Sequence, residues 1–86
     1  MPCISRFLGI EIYIWFNDHA PPHFHAKCGS IDAQVRIADG VVMEGRLPPR
    51  QTKLVRRWAQ RYKRELEENW YRARAGFGLR AIPPLE

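Results

Sequence analysis

The sequence lacks any apolar run long enough to cross a bilayer, which would need about 18 or more residues. Its first residues, MPCISR, lack the basic-then-apolar layout of a secretory leader. Only two cysteines are present, Cys3 and Cys28, too few to indicate a disulfide framework. We therefore expect a cytoplasmic protein with reduced thiols and no membrane contact.

Internal repeats and low-complexity segments are also absent from the 86 residues. The chain is 45% hydrophobic and contains three Trp, three Tyr and four Phe, which is enough for one thin core. A chain of this size has no room for a second domain or a deep cleft. We expect residues 1–86 to form a single domain whose site, if it has one, is shallow.

Acidic residues are scarce where the basic ones are concentrated. Residues 1–49 contain four Lys/Arg and five Asp/Glu, whereas residues 50–86 contain ten and four, and the net charge is +5. If residues 50–64 are helical, five cations fall within one arc of about 80°: Arg50, Lys53, Arg57, Arg61 and Arg64. Such a row can follow the phosphates of RNA or another polyanion, although a solvated helix face needs no partner.

Alternating apolar and polar residues predict four strands, over residues 10–16, 23–28, 31–37 and 41–44. Asp39-Gly40 predicts a tight hairpin between the last two. The core faces of the first and third strands should carry Ile10, Ile12, Ile14, Phe16, Ile31, Ala33, Val35 and Ile37. A sheet of antiparallel strands is the expected result.

The second half of the chain has helical periodicity. Pro48-Pro49 precedes a predicted helix over residues 50–75, which should end at Gly76. Its apolar stripe consists of Val55, Trp58, Ala59, Tyr62, Leu66, Trp70 and Ala73. The expected fold class is α+β, an antiparallel sheet of about four strands covered on one face by one long C-terminal helix. The tail should fold back through Leu79, Ile82 and Leu85.

All three histidines fall within seven residues, His19, His23 and His25, directly after Asp18. On a strand, His23 and His25 point to one face and Phe24, Ala26 and Cys28 to the other. A His-x-His pair can chelate a metal, with Asp18 or His19 as a third ligand. The same residues can serve as a metal-free acid–base pair, or can simply hold the Pro21-Pro22 bend. All three interpretations remain open, and no cofactor is assigned.

Two further features concern the contacts of the sheet and of the helix. Tyr13 and Trp15 should lie on the sheet face that the helix cannot cover, where aromatic residues contact a protein partner, a second copy or bases. Asn69 lies on the apolar stripe of the helix, where a buried amide needs a hydrogen-bond partner. We expect that partner in the loop near residues 17–25.

The segment Phe16-Asn-Asp-His-Ala-Pro-Pro-His-Phe-His-Ala26 resembles the signature of a bacterial family known as domain of unknown function 4160. Residues 2–10, Glu44-Gly45, Leu47-Pro48-Pro49 and Glu68-Asn69-Trp70 resemble other fixed points of that family. The resemblance implies a stand-alone bacterial cytoplasmic protein, often encoded beside a small protein of the family numbered 2442, in an arrangement of toxin–antitoxin type. It implies no established activity.

These observations support three hypotheses. The first is a toxin–antitoxin-like module that binds or cleaves RNA without metal, with Asp18, His19, His23 and His25 as catalytic groups. The second is a non-enzymatic regulatory partner of a neighbour-encoded small protein, docked through Tyr13 and Trp15. The third is a small metal-binding protein centred on His23 and His25.

Overall fold

The computed structural model describes residues 3–16 and 18–85, and its strands and helices follow one another without crossovers. Five antiparallel strands pair in chain order: β1 (Cys3–Phe7), β2 (Ile10–Tyr13), β3 (His23–Cys28), β4 (Ile31–Arg36) and β5 (Val42–Gly45). Two helices follow, α1 (Pro49–Arg61) and α2 (Lys63–Ala75). The predicted α+β class is therefore confirmed, with differences in the number of strands and helices.

The first strand, β1, was not predicted because its sequence does not alternate. A bulge in its pairing with β2 lies between Cys3 and Ser5, so the buried residues Ile4 and Phe7 are three positions apart. The turn that follows is Leu8-Gly9, and both residues have positive φ (51° and 79°). Such turns usually carry Asn or Asp at the first position, so a leucine there conceals the hairpin.

The helical half of the chain bends at Tyr62, which separates α1 from α2 with φ −111° and ψ 30°. The prediction of one long helix is therefore wrong. A straight helix over residues 49–75 would be about 40 Å long, whereas the longest dimension of the Cα trace is 33 Å. The bend keeps apolar residues of both helices on the sheet, and the sequence carries no proline or glycine near Tyr62 that would signal it.

The core lies between the sheet and the helix pair, with Trp58 at its centre. Trp58 is fully buried, its ring lies 5.3 Å from that of Phe7 and 5.7 Å from that of Phe24, and its indole N–H donates to the carbonyl of Pro83 at 2.9 Å. The predicted apolar stripe of the helix contacts the core throughout. The tail folds back as predicted, with Ile82 buried and its amide donating to the Ile4 carbonyl.

Two residues assigned to the core are exposed instead. Phe16 is 45% exposed because β2 ends at Tyr13 and the alternation is lost after Ile14. Ile31 is 42% exposed because it is the first residue of β4, at the sheet margin. Cys3 and Cys28 are free thiols. Within the described residues, neither helix is long and apolar enough to span a membrane.

Candidate functional site

The site is built where the loop between β2 and β3 meets the first residues of β3. Asp18 lies in that loop, and its carboxylate accepts a hydrogen bond from the backbone N–H of His19 at 3.1 Å. Asn17 lies outside the described residues. The Ala20-Pro21 peptide bond is cis, and the Pro22 carbonyl accepts from the Ile37 amide at 3.0 Å. The hydrogen bond between Pro22 and Ile37 returns the loop to the sheet just before His23.

Asp18 places one carboxylate oxygen against two imidazoles. Its Oδ2 lies 3.1 Å from His23 Nε2 and 3.0 Å from His25 Nε2. As predicted for a strand, Phe24 and Ala26 point to the opposite face and are fully buried in the core. The backbone of β3 therefore holds the two histidines rigidly, while the loop delivers the carboxylate between them. We refer to Asp18, His23 and His25 as the Asp–His–His cluster.

His23 is the buried member of the cluster, with only 2% of its surface exposed. Its Nδ1 lies 2.8 Å from the Pro21 carbonyl oxygen. Because a carbonyl only accepts hydrogen bonds, Nδ1 must be the donor, which leaves Nε2 on the side of the cluster. Although Asp18 Oδ2 lies 3.1 Å away, it forms no hydrogen bond with His23 Nε2, and this buried nitrogen has no hydrogen-bond partner among the described residues.

The charge on Asp18 is set by two opposing effects. Burial of the carboxyl, the largest single effect, raises its pKa, but the hydrogen bonds from His25 and from the His19 backbone N–H, together with electrostatic interactions with the two imidazoles, outweigh it. The pKa of Asp18 therefore lies below its ordinary value of 3.8. The cluster presents an ionised carboxylate between two imidazoles at neutral pH.

The helix α2 adds two residues that sequence analysis did not assign to the site. The ring of Trp70 lies 5.3 Å from that of His23. The guanidinium of Arg74 lies over Trp70, at 5.8 Å, and donates to the backbone carbonyl of Asp18 at 3.1 Å. Their spacing of four residues places both on one helix face. Sequence analysis expected this part of the helix to reach the histidine loop through Asn69, but it did not assign that contact to Trp70 or Arg74.

Asn69 was expected to bond to that loop, and this prediction is wrong. It is buried, but its amide donates to the Arg80 carbonyl at 2.8 Å and accepts from the Arg80 N–H at 2.9 Å. The turn at Gly76 brings the tail alongside α2, so the backbone of the tail satisfies the amide first. Asn69 thus anchors the tail, and the neighbouring Trp70 reaches the loop.

The remaining predicted residues surround the cluster at different distances. The His19 side chain is 89% exposed, and its Nδ1 lies 3.6 Å from Asp18 Oδ1. Every member of the predicted basic row is exposed: Arg50, Lys53, Arg57, Arg61 and Arg64. Arg64 is the member nearest in sequence to Arg74, and ten helical residues correspond to about 15 Å. The row therefore does not line the cluster itself.

Tyr13 and Trp15 lie on the sheet face opposite the helices, as predicted. Their rings are stacked, with centroids 5.4 Å apart and planes within 2°, and Trp15 also meets the edge of His25 at 5.9 Å. The two are not equally available, since Tyr13 is only 7% exposed and donates to the Glu11 carboxylate at 2.7 Å. A partner at this face would meet mainly Trp15, within a shallow groove that Lys27 and Asp32 complete.

The family model described as Domain of unknown function (DUF4160) matches residues 9–71. The chain belongs to this family. The matched segment contains the whole Asp–His–His cluster and Trp70, whereas Arg74 lies beyond it. No curated protein and no solved structure matches the chain. Membership of the family therefore carries no activity over to the cluster, and its chemistry must be argued from its own geometry.

Replacing Asp18 with Asn should make the protein less sensitive to acid. Because folding lowers the pKa of Asp18, the unfolded chain takes up this proton first as the pH falls. The resulting stabilisation is complete above the ordinary pKa of 3.8 and is lost as the pH falls through the lowered value. The difference in melting temperature between wild type and Asp18→Asn should therefore narrow below about pH 4 in thermal unfolding.

The matched control is Asp32→Asn, which removes an exposed carboxylate outside the cluster. The difference in melting temperature between wild type and Asp32→Asn should not show the same dependence on pH as the difference for Asp18→Asn. If the melting temperatures of wild type and Asp18→Asn change in parallel with pH across the acid range, the ionised state assigned to the Asp18 carboxylate is wrong.

Proposed function

We propose that the protein is a small toxin-like module that acts on RNA at the Asp–His–His cluster. The observation that carries the proposal is the single carboxylate oxygen of Asp18, placed 3.0–3.1 Å from two imidazole nitrogens. Clusters of interacting titratable groups at a partly open site are typical of catalytic centres. The cluster is partly open because the side chains of His25 and Asp18 retain 18% and 14% exposure.

The groups present match the needs of RNA cleavage. A base must remove the proton of the 2′-hydroxyl, an acid must protonate the leaving oxygen, and a cation must balance charge on the phosphate. Asp18 can orient the imidazole of His25 and stabilise its protonated form, as a carboxylate does in a catalytic His–Asp pair. His19 is exposed beside them, and Arg74 supplies a guanidinium next to the Asp18 backbone.

The basic row of α1 and α2 supports RNA as the substrate class. It presents five exposed cations, and no acidic residue occurs from Arg50 to Arg64. A surface of one sign would bind flanking phosphates without reading the base sequence. In this arrangement the basic row holds the RNA chain. The cluster lies at the far end of α2 and acts on a phosphate farther along the same RNA.

Replacing His25 should abolish RNA cleavage without unfolding the protein. Untagged wild-type protein incubated with total bacterial RNA should produce fragments, and His25→Ala should reduce the rate by about 100-fold or more. Gel electrophoresis of the RNA, with and without EDTA, provides the measurement. Loss of cleavage with EDTA would assign the chemistry to a bound metal, and persistence would assign it to the imidazoles alone.

The control for this experiment is Gln34→Ala, because Gln34 lies directly opposite His25 in the β3–β4 register and has no assigned role. It should cleave as wild type does. Intact RNA in every lane, with circular dichroism showing folded protein, would count against an RNA-cleaving function.

Binding through the basic row should show itself in the salt dependence of RNA affinity. Each phosphate contact on single-stranded RNA contributes about −0.7 to the slope of log affinity against log salt. The double variant Arg57→Ala/Arg61→Ala should therefore reduce that slope by about 1.4 in filter-binding titrations. The double variant Arg6→Ala/Arg80→Ala removes the same charge outside the row. An equal reduction in both variants would show a general charge effect and no bound row.

A second candidate function is the docking of a small protein partner, or a second copy of the chain, on the open sheet face. The observation in its favour is Trp15, which is partly exposed and is held in place by stacking on Tyr13. Rigid aromatic residues of this kind dominate the binding energy of many interfaces. In the toxin-like arrangement, a neighbour-encoded protein bound here would lie next to His25.

Replacing Trp15 with Ala should weaken that complex. A central interface tryptophan commonly contributes about 2 kcal/mol or more, which is a loss of about 30-fold in affinity. The measurement is co-purification and titration calorimetry with the neighbour-encoded protein, together with light scattering for self-association. Phe77→Ala removes another exposed aromatic residue far along the chain and serves as the control. Unchanged binding by Trp15→Ala would exclude this face.

A further inference from the structure

We propose that Asp18, His23 and His25 together bind one divalent transition-metal ion of the zinc class, through a carboxylate oxygen and two Nε2 atoms. Its catalytic meaning rests on the proposed function, but the binding itself does not require RNA. Among the described residues, these three form a group whose ligand atoms all lie within 4.8 Å of one another. Three features of the cluster support such a site: the spacing of its ligand atoms, the orientation of His23 and the set of donor atoms.

The spacing of the three ligand atoms fits a shared ion. Zinc binds imidazole nitrogen and carboxylate oxygen at about 2.0–2.1 Å, so neighbouring ligand atoms lie roughly 3.0–3.4 Å apart in octahedral or tetrahedral geometry. The carboxylate oxygen lies 3.1 Å from one nitrogen and 3.0 Å from the other. Both separations therefore match those between neighbouring ligands of one ion, and the two nitrogens lie within 4.8 Å of each other.

The orientation of His23 supplies independent support. Histidines that bind metal usually donate their other ring N–H to a backbone carbonyl or carboxylate, which holds the ring and fixes its tautomer. His23 makes this contact through Nδ1 to the Pro21 carbonyl at 2.8 Å. Its Nε2 is then free to act as a ligand, and within the part of the chain that the structure describes it is a buried nitrogen without a hydrogen-bond partner.

A bound proton explains the cluster less well than a metal ion does. A proton on His23 Nε2 would need an acceptor, and the structure shows no hydrogen bond from this atom to Asp18 Oδ2 in spite of the 3.1 Å distance. Leaving a buried polar group unpaired destabilises the folded state. A metal ion between the three atoms removes that destabilisation and also neutralises the carboxylate.

The donor set selects the class of ion. Two imidazoles and one carboxylate favour Zn²⁺, Fe²⁺, Ni²⁺ or Cu²⁺ over Mg²⁺ and Ca²⁺, which prefer oxygen ligands. The same set of three ligands with an open position is typical of catalytic metal centres. The open position would accept water or a phosphate oxygen. In the proposed function, the ion would polarise that phosphate.

The test is a metal titration of untagged, EDTA-treated protein by isothermal calorimetry with Zn²⁺, repeated with Co²⁺ while recording its visible absorption. Wild type should bind one equivalent of Zn²⁺, and Co²⁺ should develop the absorption of a nitrogen- and oxygen-ligated site. Asp18→Asn and His25→Ala should each lose at least about tenfold in affinity. Gln34→Ala should bind as wild type does, and circular dichroism should show that every variant is folded.

The proposal would be overturned by less than one equivalent of Zn²⁺ bound to folded wild type, or by equal affinity in wild type and His25→Ala. Loss of binding in His19→Ala but not in His25→Ala would also overturn it, because it would place the ion on the exposed loop. Stoichiometric Zn²⁺ with RNA left intact would establish the metal centre and reject RNA as the substrate. Cleaved RNA without bound metal would reject the metal centre and support RNA as the substrate.

Discussion

The constraint on which the rest of the structure depends is that a small meander sheet must bury its apolar face under helices taken from one continuous segment. The 27 residues from Pro49 to Ala75 are too long to lie straight across this protein. They bend at Tyr62, and Trp58 in α1 and Leu66 in α2 are both fully buried. This bend directs the end of α2 to the loop that carries Asp18. Both the core and the surroundings of the cluster follow from it.

The cluster combines two histidines held by a strand with one carboxylate that comes from a loop. The strand β3 holds His23 and His25 on one face because Phe24 and Ala26 are fixed in the core. The loop then delivers Asp18, which is held by the His19 amide on one side and by Arg74 on the other. A metal centre and a metal-free acid–base site would share this architecture. They differ in what occupies the space between the three ligand atoms, and the proposed metal rests on the nitrogen of His23, which has no partner among the described residues.

Sequence patterns succeeded where one face of an element is buried and the opposite face is solvated. The breaks at Pro21-Pro22 and Gly29-Ser30 located β3 at its observed limits, and helical periodicity identified the buried stripe from Val55 to Ala73. They failed where the backbone departs from regular geometry. The bulge in β1 disturbed the alternation, and the bend at Tyr62 occurs without a proline or glycine.

The sequence by itself determined that His23 and His25 share a face, because side chains on a strand alternate with a period of two residues. It also determined that the helix carries an unmixed basic surface opposite its apolar stripe. Only the tertiary structure decided that Asp18 is the third member of the cluster, that Trp70 and Arg74 adjoin it, and that Asn69 binds the tail. These contacts join segments 7 to 56 residues apart. Their geometry depends on where the loop, the helix bend and the tail return to the sheet, which local periodicity does not specify.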